Sequence, residues 1–213
     1  MTQDIVWIIN GGKGSGKSTM MLQVLKSKNG YKKWFDNIYL ISPTATRDSK
    51  FNKLCEELQR DNKCFSTCDD ETVDEVINRL KDFNESFDEK EEGRKPHSVV
   101  IFDDCLAFLP KSTQKSRFNE LITTSRHLKT SVWILTQKYN KVNPLIRANM
   151  DMLSFFRTNN KRELETLEDD VNIDKNMLHH LYEFATEEPN SFLHISFFGG
   201  KPTFFRKFDK III

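Results

Sequence analysis

The chain has 213 residues, 38% apolar and 30% charged, with a formal net charge of only +1, so it reads as a globular chain of one substantial α/β domain or two small ones and not as a polycation. No apolar run approaches the roughly 18 residues that a membrane-spanning helix needs. The N-terminal MTQDIVWIIN lacks the basic region and cleavage site of a signal peptide, so the expectation is an intracellular protein with no cleaved leader.

Short apolar runs alternate with helical patterns from the start. Ile5 to Ile9 is the first strand candidate, and the glycine-rich Gly11-Gly12-Lys13-Gly14-Ser15-Gly16-Lys17-Ser18 follows it at once. Lys17 to Asn29 reads as a helix stopped by Gly30. Ile38 to Ile41 is a second strand, ended by Pro43. Thr72 and Glu75 are a candidate capping box, with Val73, Val76, Ile77, Leu80 and Phe83 on one face of the helix behind them. Val99 to Phe102 and Val132 to Leu135 are further strands, with a helix over Gln114 to His127 between them. The apolar runs are continuous, not alternating, as parallel strands covered on both faces require. Phe192 to Phe198 and Thr203 to Phe208, joined by Gly199-Gly200-Lys201-Pro202, read as an antiparallel hairpin at the sheet edge. The fold class expected is therefore α/β with a mainly parallel central sheet flanked by helices.

Charge is unevenly spread. Asp69 to Glu92 holds 11 acidic and 3 basic residues, as a solvated helix face would, while Lys111 to Arg162 holds 11 basic and 2 acidic ones beside the candidate site strands. The four cysteines, Cys55, Cys64, Cys68 and Cys105, lack zinc-finger spacing and read as reduced thiols.

The glycine-rich run is a complete Walker A motif in the strand–loop–helix context it requires. Its glycines let backbone N–H groups of Gly12, Lys13, Gly14, Ser15, Gly16, Lys17, Ser18 and Thr19 face phosphates, and the helix adds its positive end. Lys17 is expected at the β- and γ-phosphates and Ser18 on Mg²⁺. Ser98 to Asp104 has the form of a Walker B strand: apolar residues, then Asp103 for Mg²⁺ and Asp104 to polarise an attacking water. Ser131 to Gln137 ends in Thr-Gln. If that strand lies between the two Walker strands, Gln137 faces the γ-phosphate.

With these residues in place, the chain resembles the FtsK–HerA superfamily of P-loop motor ATPases, and within it the poxvirus-type genome-packaging ATPases of double-stranded DNA viruses with internal membranes. The segments IINGGKGSGKST, VVIFDDCLAF and TSRHLKTSVWILTQKYNKVNPLIRANMD, with the terminal hairpin, carry the likeness over nearly the whole chain. The resemblance implies a single P-loop ATPase domain of the ASCE/RecA-like type over 1–213, with ATP and Mg²⁺ as cofactors. It implies Gln137 as sensor and Asp104 as catalytic carboxylate, where much of the superfamily has Glu. It also implies a homo-oligomeric ring, hexameric before pentameric, with an arginine finger donated by the neighbouring subunit. Arg126 and Arg147 are the candidates. Implied partners are double-stranded DNA, gripped by Lys138, Lys141 and Arg147, and viral capsid or membrane-vertex proteins, at assembly sites in the host-cell cytoplasm. A non-packaging DNA translocase or helicase of the same superfamily, and a P-loop small-molecule kinase, are the alternatives. A GTPase lacks its Asn-Lys-x-Asp motif here, and an ABC-type ATPase its Leu-Ser-Gly-Gly-Gln signature.

Overall fold

A computed structural model describes residues 4–45, 50–105 and 116–212. Leu106 to Phe108 of the second quoted segment, Lys111, and the expected helix start at Gln114 lie outside the described residues. Nine strands form one sheet in the order β3-β2-β4-β5-β1-β6-β7-β8-β9. The strands are β1 (Val6–Asn10), β2 (Asn37–Ile41), β3 (Cys64–Phe65), β4 (Ser98–Asp103), β5 (Thr130–Thr136), β6 (Met152–Phe156), β7 (Phe192–Ser196), β8 (Thr203–Arg206) and β9 (Asp209–Lys210). From β3 to β6 every pairing is parallel; β7, β8 and β9 add antiparallel at one edge. The expected architecture and edge hairpin are therefore present.

The helices are α1 (Lys17–Lys26), α2 (Asn52–Gln59), α3 (Asp70–Ser86), α4 (Glu89–Glu92), α5 (Arg117–Thr124), α6 (Pro144–Ala148), α7 (Lys161–Asp170) and α8 (Lys175–Ala185). Residues of one parity on each strand meet α1 and α2: Trp7 and Ile9, Val99 and Ile101, Trp133 and Leu135. Residues of the other parity, such as Val6, Ile8, Val100, Phe102, Val132 and Ile134, meet α3, α5, α7 and α8. Burial on both faces explains why the runs Val6–Ile9, Val99–Phe102 and Val132–Leu135 within β1, β4 and β5 are continuously apolar. No described helix is long and apolar enough to cross a membrane.

Several expected boundaries move, each for a local reason. Helix α1 stops at Lys26, and Gly30 does not end it in a left-handed conformation. Gly30 is instead a close-approach glycine: a Cβ there would lie 2.2 Å from the Val24 carbonyl oxygen, which accepts from Tyr31 N at 2.9 Å. Helix α3 is capped by Asp69, whose Oδ1 accepts from Thr72 N at 2.8 Å, so Thr72 is inside the first turn and not the cap. Helix α5 ends at Thr124, three residues before His127. The Ile146-to-Asn149 turn is part of a short helix, α6, with Pro144 in its first turn and Asn143 Oδ1 accepting from Leu145 N. The acidic side chains of α3 and α4 are exposed apart from the half-buried Asp74. Three cysteines are buried, Cys64 is half-buried, all four are free thiols, and no cluster of three or more His, Cys, Asp or Glu side chains among the described residues suits a metal ion.

Candidate functional site

Strand order gathers the site. β5 lies between β4 and β1, so the carboxyl ends of three adjacent strands carry Asp103-Asp104, Gln137 and the glycine-rich loop. Parity then aims them. Asp103 continues the Val99–Ile101 face and Gln137 the Trp133–Leu135 face, both on the side that α1 covers. There they line a cleft of 570 Å³ with Lys13, Gly14, Lys17 and Ser18.

The loop is held by close packing. Gly11 N bonds to Thr136 O at 3.1 Å, and Ser15 N to Gly12 O at 3.2 Å. A Cβ on Gly11 would lie 2.6 Å from Ser15 Oγ and 2.7 Å from Phe156 Cβ, whereas one on Gly12 meets nothing. Gly14 and Gly16 have φ of 79° and 102°, which side-chain-bearing residues rarely adopt. Gly16 caps α1 with no side-chain acceptor, leaving the first N–H groups of the helix to whatever enters the cleft.

Lys17 is buried, and its Nζ donates to Gly11 O at 2.6 Å and Gly12 O at 3.1 Å. Burial pushes its pKa below the ordinary lysine value; Asp103 and Asp104 push it back up, and Lys50 lowers it further. The net direction is that of a buried cation short of negative charge, a deficit that a polyphosphate would fill. Asp103 is buried too, and Ser42 Oγ donates to its Oδ2 at 3.3 Å. With the Ser18 hydroxyl on the same cleft wall, the donor set is all oxygen, as a hard divalent cation such as Mg²⁺ prefers. Asp104 is exposed at φ 55°, in the left-handed region, which turns it off the strand line. Gln137 Nε2 donates to Asp104 Oδ1 at 3.1 Å.

The two arginine candidates lie elsewhere. Arg126 Nη2 bonds Asp151 Oδ1 at 2.9 Å, while Asp151 Oδ2 accepts from Val6 N at 2.9 Å. Val6 begins β1, so Arg126 sits a strand length, roughly 15 Å, from the loop at the other end of β1. Its side chain is 74% exposed. Arg147 is held inside the chain: its Nη1 lies 2.5 Å from both oxygens of Asp170, its Nε donates to Val142 O, and its guanidinium sits over the Tyr139 ring. Lys138 and Lys141 are exposed just beyond β5. Thr44 and Lys50 also line the cleft, from the connection after β2. Nothing local in the sequence marked them; only the β2–β4 pairing brings them there.

Solved structures share this fold. The genome packaging NTPase B204 from Sulfolobus turreted icosahedral virus 2, in complex with ATP-gammaS, is 19% identical with a TM-score of 0.68, over 99% of this chain and 98% of that one. B204 from Sulfolobus turreted icosahedral virus, a DNA-packaging ATPase, is 19% identical with a TM-score of 0.64 over all of both chains. The pCW3 conjugation coupling protein TcpA with ATPgS is 16% identical with a TM-score of 0.59; the match spans 96% of this chain but 60% of TcpA. No curated protein sequence matches. One family model matches residues 1–191, so β7, β8 and β9 lie beyond it. That family is described as Poxvirus A32 protein, and the chain belongs to it.

Proposed function

We propose that the chain is an ATP-hydrolysing motor of the FtsK–HerA superfamily that drives double-stranded viral DNA into a capsid. The observation that carries this reading is the Gln137–Asp104 hydrogen bond in the cleft that also holds Lys17 and Asp103. A binding switch needs the phosphate loop alone. A carboxylate held at the γ end by a neighbouring strand suits attack by water. Membership of the Poxvirus A32 family, and a fold shared with B204, whose described role is genome packaging, support the choice of DNA.

In this mechanism the loop N–H groups and the Lys17 ammonium bind the β- and γ-phosphates. Ser18 and Asp103 would hold Mg²⁺, which would supply positive charge to neutralise the phosphates. Asp104 orients the attacking water and draws its proton, and Gln137 fixes the carboxylate's rotation and senses the loss of the γ-phosphate. The site is completed by an arginine from the next subunit of a ring, hexameric in the favoured arrangement. Arg126 suits that role better than Arg147, because it is exposed and far from its own loop whereas Arg147 is spent on Asp170. Lys138 and Lys141 would contact DNA phosphates without reading sequence.

The test is the ATPase rate with and without double-stranded DNA, measured over a salt series beside the solution mass. Stimulation by DNA that falls with salt, in an assembled ring, is expected. A rate indifferent to DNA at every salt concentration would sink the translocation reading.

A further inference from the structure

A second cavity lies away from the loop, between α1 and the sheet. It measures 450 Å³, within the roughly 300–1,000 Å³ range of small-molecule sites, and has largely apolar walls. Trp7 on β1, Met20 and Val24 on α1, Tyr31 behind it, Met152 on β6 and Phe208 after β8 line it. The close approach of Gly30 to Val24 O fixes the turn that places Tyr31.

One buried polar side chain, His194, also lines it, at 5% exposure. Its tautomer follows from its partners. Trp7 Nε1–H donates to Ser154 Oγ at 3.1 Å, and Ser154 Oγ lies 2.9 Å from His194 Nδ1. The indole can only donate, so the serine proton is free for the imidazole. The arrangement that uses every donor has Ser154 donating to Nδ1, which puts the ring proton on Nε2. Burial keeps this ring neutral, pulling its pKa down to about 4. Nδ1 is thus committed to the protein, and Nε2–H is the donor left for a ligand.

We propose that this cavity is a binding site for a neutral, flat, mainly apolar molecule carrying one hydrogen-bond acceptor, a carbonyl oxygen being the simplest, received by His194 Nε2–H. The aromatic rings of Trp7, Tyr31 and Phe208 in the wall favour flat shapes by edge and face contacts. The two methionines adapt to the ligand's outline. A carboxylate is disfavoured because the neutral imidazole offers it no charge.

The probe is benzophenone, two rings and a carbonyl, which inserts into nearby C–H bonds on irradiation. The whole 213-residue chain is irradiated over a benzophenone series and the adducts are mapped by mass spectrometry. Saturable labelling at Met20 and Met152 is expected. Fluorenone should compete at a concentration roughly two- to tenfold lower than fluorene, which lacks the acceptor, the difference being one hydrogen bond. His194→Phe should erase that preference. Val24→Trp fills the cavity from α1 while leaving Ser154 and His194 unchanged in sequence, and should abolish labelling in a protein whose melting and ATPase rate show it folded. Labelling scattered without saturation, labelling that survives Val24→Trp, or equal competition by fluorenone and fluorene would overturn the assignment.

Discussion

Gln137 Nε2 reaches across from the end of β5 to Asp104 Oδ1 at the end of β4, 3.1 Å away, and joins two strands at the mouth of the cleft. Asp104 sits at φ 55°, where Asn is among the few residues that settle easily. Asp104→Asn therefore changes the charge without adding backbone strain. It is expected to lower kcat by about 10²–10⁴-fold while leaving ATP affinity within a few-fold. Unchanged turnover in single-turnover assays would remove Asp104 from the chemistry. Gln137→Ala should lose less, roughly tenfold, because water can replace part of an exposed hydrogen bond.

Lys17→Ala tests the buried cation. Its Nζ rests on two loop carbonyls, and its lowered pKa marks a charge held at some cost in the absence of phosphate. The variant is expected to keep its melting temperature within a few degrees yet lose hydrolysis by roughly 10²–10³-fold or more. Isothermal titration with ATP and a thermal melt separate the two effects. A large drop in melting temperature would make Lys17 a structural residue first.

The two adjacent glycines should behave differently. Gly11→Ala drives a methyl into Ser15 Oγ and the buried Phe156, and should destabilise the fold by about 1–3 kcal/mol as well as distort the loop. Gly12→Ala meets open space and should leave stability near that of the parent. Urea unfolding of both variants is the measurement, and equal midpoints would contradict the packing described.

These contrasts mark what the sequence could and could not disclose. The loop and the Asp103-Asp104 strand end are contiguous, so their chemistry is legible from spacing alone. Gln137 gains meaning only from strand order, a long-range fact that no local pattern carries. The same holds for Lys50 and Thr44, brought to the cleft by the β2–β4 pairing. Gly30 was legible as a glycine with a purpose, but helix punctuation and close approach look alike in sequence. Asp69 outcompeted Thr72 as a cap because the chain bends one turn earlier than the apolar pattern begins. The partners of Arg126 and Arg147 lie 25 and 23 residues away on other elements, so pairing could not be told from a free cation.

Those pairings give opposite expectations for the arginines. Arg147→Ala takes the cation from Asp170, a half-buried carboxylate left with the Tyr139 hydroxyl as its donor at 2.6 Å, and should cost about 1–3 kcal/mol of stability. Arg126→Ala removes a largely exposed side chain, and Asp151 keeps its bond to Val6 N, so stability should shift by under about 1 kcal/mol. If Arg126 completes a neighbour's site, mixing Arg126→Ala with Lys17→Ala subunits should restore part of the activity that each lacks alone. A mixture as inactive as its components would reject donation by Arg126.

His194 supplies a pH signature in the antiparallel part of the same sheet, on β7. Burial lowers its pKa from the ordinary 6.5 to about 4, so the fold accepts the neutral ring and the unfolded chain takes up the proton first. The sign follows: its contribution is complete above pH 6.5 and is lost as pH falls towards 4. Between pH 7 and 4.5 the parent should lose about 2–3 kcal/mol more stability than His194→Gln, which has no proton to gain. Urea unfolding of both proteins at matched pH isolates this difference from carboxylates that titrate in each. Parallel losses in parent and variant would mean that the ring is not held neutral, and that Ser154 does not donate to it.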